Sequence, residues 1–179
     1  MNNSRTHGIS LPELLGAIVI FGLVSALIGS MLAVFSSASR RLMVAEQANA
    51  KALTLILAIE NAASDAGSTA YSSCGGETEC IVLENHYEYE YNAVSDAIDL
   101  VLHEPALTTE ISLSTGTILI NGVALDTGDF TIGAASTLTA VNVGGEVTVT
   151  IHFILETATG ETYGFTTSFH FTESAVPAV

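Results

Sequence analysis

Apolar and polar positions divide this chain into three successive regimes. From Leu14 to Ser39 there is no charged residue, and Leu14 to Phe35 is an almost unbroken apolar run of 22 positions. As a helix that run would extend roughly 33 Å, enough to cross a bilayer core. Residues 40–66 change to a period near 3.6. Leu42, Ala45, Ala48, Ala52, Leu55, Ile59 and Ala62 fall on one face, with Arg41, Gln47, Asn61 and Asp65 opposite, which predicts an amphipathic helix. No proline interrupts Leu14 to Gly67, and Gly67 is a stop signal. The pattern therefore predicts one helix from Ile9 to Ala66, about 58 residues and roughly 87 Å long.

After Gly67 the period becomes two. Tyr87, Tyr89 and Tyr91 alternate with Glu88 and Glu90, a half-buried strand whose tyrosines are expected to pack as a sheet face. Ile98 to Leu102 is a second strand, ending before Pro105. Thr117 to Leu125 reads as a hairpin around Asn121-Gly122. Val147, Val149, Ile151, Phe153 and Leu155 share one face of a strand, as do Tyr163, Phe165, Phe169 and Phe171 of another. Thr159-Gly160 between them predicts that these two pair. The expected architecture is α+β, a long N-terminal helix packed on a small antiparallel β-sheet head. Its segments are 1–8 as a polar leader, 9–39 as the membrane half of the helix, 40–66 as the amphipathic half, and 67–179 as the head.

Charge sharpens this division. All four basic residues, Arg5, Arg40, Arg41 and Lys51, lie in the first 51 positions, whereas residues 52–179 hold 17 acids and no Lys or Arg. Such a head repels phosphate and is not expected to bind nucleic acid directly. A solvated acidic surface suits an extracytoplasmic domain. The two cysteines, Cys74 and Cys80, have no neighbouring His or Cys to complete a zinc site. Outside a membrane they would close a small disulfide loop; two free thiols are the alternative.

Catalytic signals are weak. Asp126-Thr127-Gly128 resembles an aspartic-protease triplet, but that chemistry needs two facing copies and there is one; a turn is expected. Asp126 with Asp129, or Glu77 with Glu79, offers paired carboxylates without EF-hand spacing. His152 and His170 are expected to face solvent from the last two strands, and could lie across from each other. No nucleophile–base pair, phosphate loop or metal motif is present. The expectation is a protein that is not an enzyme and uses no cofactor or metal.

One residue does not fit an ordinary membrane anchor. Glu13 sits just inside the apolar block, where an ionised carboxylate is costly unless it has a partner. Ser25, Gly29, Ala33 and Ser37 form a row at spacing four, with Gly22, Ala26 and Ser30 as a second, and such rows let helices approach closely. Gly8-Ile9-Ser10-Leu11-Pro12-Glu13-Leu14-Leu15, followed by the apolar run, resembles the class III signal of type IV pilins and pseudopilins. The resemblance is close over about 35 residues and extends to the plan of long helix and β-rich head. It departs from the usual pattern in carrying Ile9 where Phe is usual, and a single Arg in the leader.

The resemblance implies that a prepilin peptidase cuts between Gly8 and Ile9 and methylates the new amine of Ile9. Glu13 would then pair with the amine of a neighbouring subunit, in a medium where Coulomb attraction is strong. Pro12 would fall in the first turn of the mature helix, where no intrahelical N–H bond is lost. The implied partners are other pilin or pseudopilin subunits, the peptidase, the cytoplasmic membrane and an assembly platform. The implied role is a structural subunit, a minor pilin or pseudopilin, of a type IV pilus or of a secretion- or competence-type filament, with its head extracytoplasmic. The alternative is an uncleaved single-pass anchor carrying an acidic extracellular β-domain for adhesion or binding.

Overall fold

A computed structural model describes residues 11–74, 79–114 and 116–173. Helix α1 runs without interruption over Leu11–Ala66, so the predicted helix is present; its first two expected residues, Ile9 and Ser10, lie outside the described residues. Pro12 falls in its first turn, where a missing N–H costs no helical bond. The helix stops as expected. Gly67 adopts φ +55° and its N–H bonds Ser64 O at 3.1 Å. A side chain there would be strained and would also meet the Asn85 amide at 3.0 Å.

The chain divides into two compact units, residues 1–46 and 47–179. In the first, the described residues are helix alone. The second combines residues 47–66 of α1 with, among the described residues, nine strands: β1 (Ala70–Ser73), β2 (Glu79–Asn92), β3 (Ala97–Ser114), β4 (Thr117–Ile120), β5 (Val123–Ala124), β6 (Phe130–Ile132), β7 (Thr137–Val143), β8 (Glu146–Thr157) and β9 (Thr162–Thr172). All pairings are antiparallel. The architecture is the α+β arrangement of a long N-terminal helix with antiparallel sheet.

Two sheets form. One is a meander in the order β1-β2-β3-β4-β5. In the other, β9 lines one side of β8 from Glu146 to Glu156, while β7 and β6 divide the opposite side between them. A bridge between Gly116 and Ile132, with both N–O distances 3.2 Å, ties the sheets together. The Glu79 carboxylate accepts the Leu138 N–H, adding a second tie between β2 and β7.

The buried core draws on both sheets and the helix. Ile81, Leu83, Ile111, Leu113 and Ile118 come from the meander. Val147, Val149, Ile151, Phe153 and Leu155 of β8 are all fully buried, as their alternation predicts. Each such side chain contributes about 1.5–3 kcal/mol of transfer free energy as an upper estimate. Phe153 stacks on Phe165 with centroids 5.7 Å apart. From α1 come Ala48, Ala52, Leu55 and Ile59, and the two alanines let the helix backbone approach. Leu42, expected on that same face, is 66% exposed: it precedes Gln47, where the compact unit containing the sheets begins.

Two strand expectations need correction. β3 does not end before Pro105 but runs through it to Ser114. The register breaks there, from Asn85 opposite Leu107 to Tyr87 opposite Leu102. Proline has no N–H to give the ladder, so the long hairpin accommodates it at an irregularity. Beyond the break the hairpin carries the tyrosine row, which does not pack as a whole. Tyr87 is half-buried, but Tyr91 is 62% exposed and donates its hydroxyl to Asp96 at 2.6 Å; the Tyr89 side chain lies outside the description. Among the described residues no second layer covers the outer rungs, and Val94 (98%) and Ile98 (70%) are exposed as well.

Candidate functional site

The candidate site is the helix itself. Among the described residues α1 is the one helix long and apolar enough to cross a membrane, and this makes it suited to a single-pass anchor. In the first unit Leu14, Ile18, Phe21, Leu27, Met31 and Phe35 are all exposed, leaving apolar side chains on every side. Its polar groups are disposed for such a medium. Ser30 and Ser37 donate their hydroxyls back to Leu27 O and Val34 O, each at 2.8 Å, so neither presents an unbonded hydrogen to lipid. At Gly16, Gly22 and Gly29 an added Cβ would meet nothing within 4 Å among the described residues, so these positions leave shallow notches along the backbone.

Glu13 lies in the first turn of α1 and is exposed. A carboxylate there stands at the positive end of the helix dipole. Gly8 and Ile9, the expected processing pair, lie outside the described residues.

In the helical half within the second unit the expected polar positions Gln47, Asn61 and Asp65 are exposed, but they do not hold the outer face alone. While Ala48, Ala52, Leu55 and Ile59 are buried, Leu53 is 59% and Leu57 50% exposed on the other side. One stripe thus faces the sheets, and a second apolar pair one turn apart faces away. Glu60, exposed at the flank between them, accepts a hydrogen bond from Thr167 Oγ1 of β9 at 2.9 Å.

Cys74 and Cys80 form a disulfide with Cα atoms 5.4 Å apart, the first of the two alternatives. The Glu110 carboxylate lies within 4.8 Å of both sulfurs, but bonded sulfurs are poor metal ligands, so the three groups do not make a metal centre. Of the paired acids, Asp126 and Glu79 are otherwise engaged. Asp126 binds the Lys51 ammonium at 2.7 Å and accepts the Gly128 N–H at 2.8 Å. The Lys51 hydrogen bond, the Gly128 N–H and the Lys51 charge hold its pKa below the ordinary 3.8. The Asp126-Thr127-Gly128 triplet is therefore a turn, with Gly128 at φ +63°. Glu79 serves Leu138, and Glu77 lies outside the described residues.

His152 and His170 are not opposite one another. His152 pairs across β8–β9 with Thr166, whose hydroxyl lies 3.0 Å from its Nδ1, and His170 pairs with Thr148. His170 faces solvent and His152 is partly buried. Two links were not foreseen from the sequence: Lys51 to Asp126 and Glu60 to Thr167. They span 75 and 107 residues, and no local pattern announces such pairs. Compared with protein families, with curated proteins and with solved structures, the chain finds no match.

Proposed function

We propose that this chain is a filament subunit of the pilin and pseudopilin kind, anchored in the membrane by α1, cut between Gly8 and Ile9, and assembled through that helix with its acidic head outside the cytoplasm. The observation that carries the reading is the helix's second apolar side. A helix half already packed on its own domain still leaves Leu53 and Leu57 exposed one turn apart, an apolar strip that a neighbouring helix would cover. Glu13 supplies the polar element that fixes how neighbouring helices align, as a buried polar residue does in a coiled coil. The leader at residues 1–8, the apolar run and the β-rich head all agree with this role.

Mass spectrometry of the mature N-terminus tests the reading directly. N-methylated Ile9 is the expected terminus; an intact Met1, or a secretory-type cut at the small residues Ser36-Ser37-Ala38 after the apolar run, would sink it. Glu13→Val separates the filament from a simple tether. In a filament subunit the variant still inserts into the membrane but fails to assemble. In a tethered binding module it changes nothing. The exposed Val94 and Ile98 on the outer hairpin favour that second reading, because a binding surface would use them.

A further inference from the structure

Sheet edges are where a β-protein must guard against unwanted pairing. Among the described strands, most edges here are short, covered or guarded: where β2 runs on past β1 and β3 past β4, the open stretches carry Glu88, Glu90, Asp99 and Pro105. β1 has four residues and β5 two. β6 is bridged through Ile132 to Gly116, and β7 gives its Leu138 N–H to Glu79. β9 is the exception. It has 11 residues, pairs with β8 alone, and holds a continuous register from Thr162 to Thr172 without a bulge. Its sequence, Thr-Tyr-Gly-Phe-Thr-Thr-Ser-Phe-His-Phe-Thr, contains no Lys, Arg, Asp, Glu or Pro. None of the usual guards of an edge is present. Thr162, Gly164, Thr166, Ser168, His170 and Thr172 all lie exposed on its outer face.

The charges at its two ends select the occupant. Glu161 and Glu173 bracket the strand immediately before and after. Both take hydrogen bonds from neutral donors, Tyr163 Oη and Asn142 Nδ2, and neither has a cationic partner among the described residues. A second copy is repelled. Antiparallel β9 pairing would set Glu161 beside the other copy's Glu173 at both ends, and parallel pairing would set like beside like. No Lys or Arg follows Lys51 to relieve either arrangement. The geometry points to β9 as a strand-addition site for an extended, uncharged segment of a different protein, flanked at both ends by Lys or Arg. Backbone hydrogen bonds along the edge provide attraction, and the two terminal ion pairs provide selection and register. The site does not depend on how α1 is used.

The test uses the full-length chain in detergent micelles and three synthetic peptides. Each carries an alternating Thr/Val core matched in length to β9; one has Lys at both ends, one has Glu at both ends, and one is the Lys peptide with a central Pro. Binding is read by fluorescence anisotropy, and the site by amide hydrogen exchange. The Lys-ended peptide is expected to bind about three- to tenfold tighter than the Glu-ended one at low salt, with the gap closing at high salt. The Pro peptide should not bind, and the new protection should fall on β9. Combining Glu161→Lys with Glu173→Lys should invert the preference, and because both side chains lie outside the core the fold should survive, as circular dichroism would verify. Binding by none of the peptides, equal binding of the Lys and Glu forms, or protection elsewhere overturns the inference. So does β9 protection without peptide: if it grows with protein concentration a second copy is the occupant, and if it does not the edge is covered within the chain.

Discussion

Thr167 Oγ1 donates to Glu60 Oε1 at 2.9 Å, joining the last strand to the helix across 107 residues of chain. The two partners are unequal: Thr167 is 7% exposed, whereas Glu60 is exposed. Removing either side should therefore cost different amounts. Thr167→Val frees a carboxylate that water can reclaim, for a loss of about 0.5–1.5 kcal/mol. Glu60→Ala strands a buried hydroxyl, for a loss of about 1–3 kcal/mol. Chemical denaturation of the full chain, followed by near-ultraviolet circular dichroism, should rank the two variants in that order. Equal losses would show that the hydroxyl finds another acceptor.

The β4–β5 turn makes a backbone prediction free of packing. Asn121 and Gly122 adopt φ +51° and +74°, and a Cβ on Gly122 would meet nothing within 4 Å among the described residues. Gly122→Ala should cost about 1–2 kcal/mol through conformation alone. Asn121→Ala should cost at least as much, because the Asn121 side chain also accepts the Glu110 N–H at 2.8 Å. Denaturation midpoints of the two variants against wild type check this.

Reduction of Cys74–Cys80 should lower stability by about 2 kcal/mol, the loop-closure entropy for so short a ring. The bond closes a sequence separation of only 6 residues, so the fold should persist with a lower midpoint. Thermal melts with and without reductant, alongside the Cys74→Ser/Cys80→Ser double variant, provide the comparison. Loss of the sheet signal on reduction would contradict it.

The pair Lys51–Asp126 predicts an acid-side loss. The Asp126 carboxyl has its pKa depressed in the folded chain, so the unfolded chain binds the proton more readily. The stabilisation is complete above the unfolded value near 3.8 and is lost as pH falls through the lower folded value. The carboxylate side chain is 84% exposed, so solvent and salt screen the pair and the effect is small. Asp126→Asn should be slightly less stable than wild type at neutral pH, with the difference closing as pH falls through and below 3.8. An identical acid limb in the variant would assign that limb to other carboxylates.

Legibility followed the range of the interaction. β8 and β9 were readable because alternation of Val147, Val149, Ile151, Phe153 and Leu155 is a local signature of a strand with one buried face. The helix and its stop at Gly67 were readable for the same reason. The full length of β3 is not legible, because Pro105 usually ends a strand, whereas here partner strand β2 absorbs it at the break between Asn85 and Tyr87. β1, β6 and β7 lacked strong alternation, and their pairing is imposed by β2 and β8. At the candidate site, the apolar run and Glu13 stood out in the sequence. The outward Leu53 and Leu57 did not, because a periodic pattern shows that a helix has an apolar face but not which apolar residues the rest of the chain will reach.

The interrupted register of the long hairpin has a practical consequence. Past the break, the tip at residues 93–96 is closed by its own bonds: the Asn92 side chain accepts the Val94 and Ser95 N–H groups at 3.0 and 3.3 Å, and Tyr91 holds Asp96. Because this cap is self-sufficient and none of its residues enters the core, it is the natural place to graft an epitope or a fluorophore. A tag at Val94 would report where the protein travels in a living cell while leaving its scaffold intact.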